Sequence, residues 1–200
     1  MARKFLIYGF CILLLGSFKE TSTRSSHIHF LVKIGNNEVG TLEAIQAIEN
    51  EKVSYFLHSE VQVGMLFNLK IQEKISDVFE RGNLSHSTHT RYINGDLKSN
   101  NSALWNGNSY LLKNKNQHQK HLKDSIYASV LSIYFREPKD SEILFSHSFQ
   151  ELLVLRKTGT HKYMVKLPNG NITSYLYKNG RLEVVESTTN WGVIQFVRKD

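Results

Sequence analysis

Cysteine is almost missing from this chain, since Cys11 is its only cysteine among 200 residues. Cys11 lies inside an apolar run near the N-terminus, and no cysteine follows it. A disulfide scaffold is therefore excluded for the part of the chain after that run. The roughly 175 residues that remain suffice for one hydrophobic core, so we expect stability to depend on the burial of apolar side chains.

Sequence motifs for catalysis are missing too. The chain has no G-x-S-x-G nucleophile elbow and no glycine-rich phosphate-binding loop. No serine, histidine and aspartate stand in a local context that marks a catalytic triad. A pair of carboxylates for glycoside hydrolysis stays open, because their separation in space cannot be read from a sequence. We predict a protein without catalytic residues or a cofactor, and keep a hydrolase as the least favoured alternative.

Residues 1–25 have the pattern of a signal peptide. Two basic residues precede an uninterrupted apolar run at positions 5–15, and polar residues follow it. This order is typical of a cleaved leader, and we expect cleavage between Ser17 and Ser26. The sequence thus predicts an exported protein, periplasmic or extracellular, in which residues 26–200 form a single β-barrel-like domain.

Positive charge is present in modest excess. The formal net charge of the whole chain is +7, and removal of the leader's four basic residues and one acidic residue leaves +4. The basic residues are spread along the chain, whereas nucleic-acid binders usually cluster them on one face with interleaved aromatics. We therefore predict no nucleic-acid partner, and we expect a monomer.

Four Asn-Gly dipeptides divide the chain into short segments, at 94–95, 106–107, 169–170 and 179–180. Apolar and polar residues alternate beside the last two, which is the period of a β-strand. Asn-Gly favours the positive φ angles of a two-residue type I′ hairpin turn. We predict a curved antiparallel meander of about 11–13 strands that closes into a barrel or half-barrel, because so many strands rarely form a flat open sheet.

One segment departs from the strand period. Between Asp124 and Phe135 the large apolar residues recur at i, i+3, i+4 and i+7, and Asp124 is a suitable N-cap. Pro138 prevents continuation. This pattern predicts one buried helix at residues 124–135, although its tyrosines and phenylalanine also favour a strand. The preceding residues 113–123 are almost wholly polar and are predicted to form a long mobile loop.

Four stretches of the chain are diagnostic in combination: KIGNNEVGTLEA, GNLSHS, SVLSIYFREP and YMVKLPNGNITSYLYKNGRLEVV. Through them the mature chain resembles, over nearly its whole length, the exported bacterial family called domain of unknown function 6134. The serine-rich apolar segment is also similar to that of another uncharacterised family, of periplasmic β-barrel proteins. This second resemblance implies a curved antiparallel barrel with a helix against its interior. Neither resemblance supplies a catalytic or binding residue.

Histidine is the residue type most open to a metal-binding interpretation. His27 and His29 share one face of a predicted strand, and His58, His86 or His89 is available as a third zinc ligand. The nine histidines are scattered over the chain, so such pairs arise by chance. No acidic residue stands at an evident matching position. We therefore predict no metal site.

Aromatic residues concentrate in the second half of the chain. Core packing accounts for most of them, and the functional alternative is an apolar pocket between the curved sheet and the helix. Tyrosine hydroxyls would then orient the polar end of a lipid or another amphiphile. The predicted lining of this pocket is Tyr127, Val130, Tyr134, Tyr175 and Tyr177.

Two non-catalytic functions follow from these patterns. The leading hypothesis is a binding or carrier module of the cell envelope for an apolar or amphiphilic ligand, because curled sheets with a plug form cavities. The alternative is a structural or assembly protein of the envelope, which would use exposed strands or the basic loop. The predicted partner is accordingly a lipid-like small molecule or an envelope protein.

The first testable prediction concerns processing of the leader. The apolar run at positions 5–15 is shorter than the roughly 20 residues that a spanning helix needs. We expect N-terminal sequencing of the exported protein to begin between Ser17 and Ser26, in the soluble fraction. Recovery of an intact Met1 from a membrane fraction would contradict this prediction.

Overall fold

The computed structural model describes residues 23–64, 69–189 and 192–199. These residues form fourteen β-strands in a single antiparallel sheet. Most of the predicted signal peptide lies outside the described residues, and its last three positions, 23–25, begin the first strand. Among the described residues, no helix has the length and hydrophobicity that crossing a bilayer would require.

The strand bounds in chain order are β1 (Thr23–Ile34), β2 (Asn37–Glu49), β3 (Lys52–Val63), β4 (Leu69–Glu80), β5 (Asn83–Ile93), β6 (Asp96–Trp105), β7 (Tyr110–Lys113), β8 (Gln119–Leu122), β9 (Ile143–Ser146), β10 (Glu151–Gly159), β11 (Lys162–Lys166), β12 (Ile172–Lys178), β13 (Arg181–Thr189) and β14 (Gly192–Lys199).

Two sequential meanders make up the sheet. Strands β1 to β8 follow one another in space, as do β9 to β14, and the two meanders join where β1 pairs with β14. The outermost strands β8 and β9 are not paired with each other, so the sheet stays open. The antiparallel, barrel-like architecture was predicted, whereas the strand number exceeds the predicted 11–13. Residues 113–123 were predicted to be a long mobile loop, but residues 119–122 form the short strand β8, which pairs with β7.

The core lies on the concave face of the sheet. One cluster joins buried residues of β1–β4 with buried residues of β10–β13, and within these sets β4 and β10 are far apart in the strand order. A second cluster brings Phe79 of β4 and Tyr110 of β7 together with Ile126 and Phe145. Burial of apolar surface contributes about 25 cal/mol per Å². Curling is therefore favoured, because it lets distant strands share one apolar interior.

The predicted buried helix at residues 124–135 is wrong. The segment contains no α-helix and forms only a single 3₁₀ turn, Ser132–Tyr134. Its backbone bonds to β9 instead, since the Val130 N–H donates to the Phe145 carbonyl and the Phe145 N–H donates to the Ala128 carbonyl. We name residues 126–135 the core segment, because most of them are buried inside the curled sheet.

Serine side chains explain why the core segment does not become helical. The Ser129 N–H donates to Ser132 Oγ at 3.0 Å, and the Ser132 N–H donates to Ser129 Oγ at 3.2 Å. Such bonds satisfy backbone groups locally and compete with the helical pattern. The apolar spacing that suggested a helix arises because the segment is packed from several sides.

Side-chain amides bridge the gap between the two ends of the sheet. Gln150 Nε2 donates to the carbonyls of Ser102 and Lys113, at 3.0 and 2.9 Å. Asn101 Nδ2 donates to the His147 carbonyl at 3.0 Å. The turn between β9 and β10 is thereby attached to β6 and β7. Side chains make this connection in place of a continuous strand ladder.

Only two of the four Asn-Gly dipeptides form the predicted two-residue turns. Both residues have positive φ at Asn94-Gly95, with values of 52° and 85°, and at Asn179-Gly180, with values of 52° and 75°. At Asn106-Gly107 and Asn169-Gly170 only the glycine has positive φ, and the connections are longer. Pro168 lies two residues before Gly170, and its ring fixes its own φ at a negative value, which favours a wider turn.

Gly40 of β2 marks a close approach between strand backbones. It pairs with Val61 of β3 and lies beside a β-bulge in the pairing of β1 with β2. A Cβ atom at this position would overlap the Glu60 carbonyl oxygen and lie 2.8 Å from the Val61 Cα. These are backbone atoms, so no side-chain rotation can relieve the overlap.

We predict that Gly40→Ala destabilises the protein by at least about 2 kcal/mol, because the backbone of β2 or β3 must shift. Gly159→Ala is the matched control, since its Cβ would meet Lys162 side-chain carbons at an ordinary 3.7 Å. We expect the control to change the free energy of unfolding by less than about 0.5 kcal/mol. Urea denaturation measures both, and equal losses would contradict the close approach.

Candidate ligand-binding cavity

A cavity of about 440 Å³ lies at one end of the curled sheet. Neighbouring strands run in opposite directions, so the first halves of β2, β4, β12 and β14 meet at this end. The cavity is lined by residues from these strands, from their neighbours and from the core segment. Its volume falls in the range of about 300–1,000 Å³ that is usual for small-molecule sites.

Apolar side chains form the inner wall of the cavity. They come from strands on opposite sides of the sheet and from the core segment: Leu42, Leu57, Ile75, Val130, Leu131, Val185, Ile194 and Phe196. Polar residues gather toward the end of the sheet, where Asn169 is exposed and Asn171, Thr173 and Ser187 are partly exposed. The cavity therefore has an apolar interior and a polar rim.

Two charged residues lie side by side on the cavity wall. Glu73 of β4 and Arg91 of β5 are direct partners in the strand register. Glu73 Oε1 accepts a hydrogen bond of 2.7 Å from His89 Nε2, and the His89 side chain is 1% exposed. Burial alone would raise the pKa of Glu73, but the bond and charge of His89 hold it below its ordinary value. The carboxylate is thus ionised at neutral pH.

Two tyrosines reach the cavity from opposite elements. Tyr134 belongs to the core segment, and Tyr175 lies on β12 and is 5% exposed. The described residues give neither hydroxyl a hydrogen-bond partner. Burial raises the pKa of both phenols, and the proximity of Tyr175 and Glu73 adds to the shift at Tyr134. Both tyrosines therefore stay neutral hydrogen-bond donors across the physiological range.

The structure places three of the five predicted pocket residues on the cavity wall and the other two outside it. Val130, Tyr134 and Tyr175 lie on the cavity wall. Tyr177 is buried beside it, and its hydroxyl donates to a backbone carbonyl of the core segment at 2.6 Å. Tyr127 is 72% exposed and lies outside the cavity. It is the one apolar or aromatic position of the core segment that turns fully away from the interior.

Glu73 and Arg91 were not predicted as site residues, although the pattern of β4 pointed to Glu73. Alternation in β4 places Ile71, Glu73, Ile75, Asp77 and Phe79 on the same face of the sheet. Charged residues at positions of an apolar face are unusual unless a partner or a function compensates their burial. The alternation of β4 by itself therefore indicates two candidate sites on this face.

The second charged residue of that face, Asp77, is the centre of a buried hydrogen-bond network. Ser129 Oγ donates to Asp77 Oδ2 at 2.6 Å, and His147 Nε2 lies 2.8 Å from both carboxylate oxygens. Asp77 and Ser129 are fully buried, and His147 is 2% exposed. Burial would raise the pKa of Asp77, but the charge and hydrogen bond of His147 and bonds from Ser129 and Ser87 hold it below its ordinary value.

This network does not have the geometry of a nucleophilic triad. A triad places histidine between serine and aspartate, so that the imidazole takes the serine proton. Here the carboxylate of Asp77 lies in the middle, and both Ser129 and His147 are directed at it. All three groups are sealed from solvent. The arrangement ties β4, the core segment and the β9–β10 turn together, which is a structural role.

The histidines considered as metal ligands are divided between the two faces of the sheet. His27 Nδ1 and His29 Nε2 lie 3.6 and 4.0 Å from Glu43 Oε1, an acidic partner that the sequence pattern did not reveal. His89 is buried on the opposite, concave face. Across residues 23–64, 69–189 and 192–199, no group of three or more His, Cys, Asp or Glu residues is arranged to hold a metal ion.

Comparison with known proteins places this fold in a family. The family model described as domain of unknown function (DUF6134) matches residues 30–199. The chain belongs to the DUF6134 family. The match includes the strands that line the cavity and the whole Asp77 network. No curated protein sequence matches the DUF6134 chain significantly.

A solved structure is similar to the DUF6134 chain in fold. It is the crystal structure of the beta-barrel-like protein of domain of unknown function DUF1849 from Brucella abortus. The TM-score is 0.55, with 7% sequence identity over 90% of this chain and 96% of that chain. At this identity the likeness concerns the fold alone. It shows that the DUF6134 chain has a barrel-like architecture along nearly its full described length.

We predict that Asp77→Asn in the DUF6134 chain costs about 3–5 kcal/mol, because it removes the buried carboxylate to which Ser129 and His147 are bonded. Glu51→Gln is the matched control, since Glu51 and Arg81 form an ion pair whose side chains are 75% and 86% exposed. We expect this control to leave the melting temperature unchanged. Thermal unfolding followed by circular dichroism compares the two variants.

The same substitution should change how stability depends on pH. The folded pKa of Asp77 lies below its unfolded value, so its contribution is complete above the unfolded pKa and declines as pH falls through the folded pKa. Below about pH 4, we therefore expect the wild type to lose stability more steeply than Asp77→Asn. Parallel acid profiles would show that Asp77 is not held as a buried carboxylate.

Proposed function

We propose that this protein is a non-catalytic binding or carrier module for an apolar or amphiphilic molecule. The observation that carries the proposal is the cavity of about 440 Å³ at one end of the sheet, with an apolar inner wall and a polar rim. An amphiphile matches this lining, because its chain covers the apolar side chains and its polar head meets the polar side chains of the cavity.

The construction of the cavity wall supports a site for a ligand. Strands from both meanders contribute side chains, and the core segment closes the inner side with Val130, Leu131 and Tyr134. The network around Asp77 holds this segment from behind, because Ser129 is bonded to β4. A wall fixed in this way keeps its shape when the cavity is empty, which reduces the ordering cost of binding.

The proposal includes a place of action in the cell envelope. The leader pattern in residues 1–25 supports export, after which the protein would act in the periplasm or outside the cell. A molecule with a long apolar chain is poorly soluble in these compartments. A protein that shields the chain in a cavity would keep such a molecule dispersed.

The alternative, a structural or assembly protein of the envelope, relies on the edges of the sheet. Strand β8 is an exposed edge, and a polar groove beside it is lined by Lys98, Lys115 and Lys120. Unpaired edges can bind a further strand. A filled interior would have favoured this alternative, and the cavity instead favours ligand binding.

We predict that protein purified from its own cells carries a lipid-sized molecule, which native mass spectrometry detects as an added mass. Val130→Phe should abolish this retention, because the larger ring fills the cavity from the core segment. Val154→Phe is the matched control, since Val154 of β10 is 43% exposed and lies outside the cavity. The control should retain the molecule as the wild type does.

Two outcomes would contradict the proposal. One is a wild-type protein that carries no added mass and takes up no added single-chain amphiphile. The other is retention that is equal in the wild type and in folded Val130→Phe, which would place the molecule elsewhere on the protein.

A further inference from the structure

Three residues that line the cavity carry hydrogen-bond donors without an acceptor among the described residues. The hydroxyls of Tyr134 and Tyr175 have no hydrogen-bond partner among the described residues. Arg91 Nε is buried and also lacks a partner in the described part of the chain. By contrast, the hydroxyl of Tyr177, outside the cavity, donates to a backbone carbonyl at 2.6 Å. A buried donor without an acceptor, such as Arg91 Nε, is unfavourable, so a ligand that supplies acceptors is favoured.

These donors are neighbours rather than scattered groups. Arg91 is the register partner of Glu73 across β4 and β5. Glu73 and Tyr175 are both close enough to Tyr134 to act on its ionisation. The four side chains lie on β5, β4, the core segment and β12, and this row of residues lines one cavity.

The carboxylate in this row already has a partner. Glu73 Oε1 accepts the hydrogen bond of buried His89 at 2.7 Å. This bond directs the Glu73 oxygen toward β5 and compensates part of its charge. Arg91 then remains available to a ligand as a fork of N–H donors, which suits a carboxylate or a phosphate.

We infer that the cavity selects amphiphiles with an anionic head, whose acceptor oxygens bind Arg91 and the hydroxyls of Tyr134 and Tyr175. The apolar chain of the ligand lies along Leu42, Leu57 and Val185. Carboxylate and phosphate heads share this chemistry. The inference deepens the proposed function and rests on it, because it assigns the head-group class of the molecule that the cavity holds.

The test compares probes that share one apolar chain and differ only in the head. Dodecanoate, dodecyl phosphate, dodecanol and dodecylamine are titrated into the wild-type protein by calorimetry at about pH 8, where the acids are ionised. We expect dodecanoate or dodecyl phosphate to bind at least about tenfold more tightly than dodecanol. Dodecylamine should bind more weakly than either anion.

Variants then assign the preference to the donor row. Arg91→Met should weaken binding of the preferred anion by about tenfold and leave dodecanol within about twofold. Arg181→Met is the matched control, because Arg181 is exposed at the opposite end of β13. Tyr175→Phe should weaken anion binding severalfold without loss of stability, since its hydroxyl has no partner to lose among residues 23–64, 69–189 and 192–199. Tyr127→Phe is the corresponding control on an exposed tyrosine.

The outcomes separate the two proposals. Binding of all four probes with similar affinity would overturn the head-group inference and leave the proposed function standing. Tighter binding of dodecylamine would overturn it as well, and would assign the head group to Glu73. Failure of every probe to bind would contradict the proposed function itself. If Arg91→Met does not fold, Arg91→Lys and the wild-type probe series still decide the question.

Discussion

The interior depends on the hydrogen bonds of the buried Asp77 carboxylate. It joins β4 to the core segment through Ser129 and to the β9–β10 turn through His147. An ionised group without solvent is tolerable only when such partners surround it. The core segment therefore has a fixed position although it is not helical. Other residues of the core segment line the cavity. The bond between Ser129 and Asp77, which lies outside the cavity, therefore helps to fix the shape of the candidate site.

Much of the strand architecture could be predicted, because alternation and hairpin turns are local properties of the sequence. The turn at Asn179-Gly180 follows from two residues that accept positive φ. The turn at Asn169-Gly170 was predicted wrongly, since Pro168 makes a different connection available. The short strand β8 was missed because its polar sequence lacks the apolar alternation, and pairing with β7 decides its structure.

The candidate site was only partly accessible from the sequence. Tyr134 and Tyr175 were named from their aromatic character, and their shared cavity depends on curvature that no local pattern reports. Residues 124–135 showed a helical spacing, but bonds to β9 and between Ser129 and Ser132 override it. The acidic positions of β4 carried a visible signal, because they interrupt an apolar face. The other features of the candidate site depend on long-range contacts, which a local sequence pattern does not report.

The joining of two sequential meanders has a consequence for how the chain reaches its fold. Nearly every strand in the described residues pairs with its neighbour in sequence, so each meander can form by successive local hairpins with short loop closures. The pairing of β1 with β14 connects residues from opposite ends of the chain, such as Phe30 and Arg198. This seam bears the largest entropic cost of closure. Because the main core cluster includes residues of both meanders, neither half buries its apolar face alone, and the cavity is assembled only when the two halves dock.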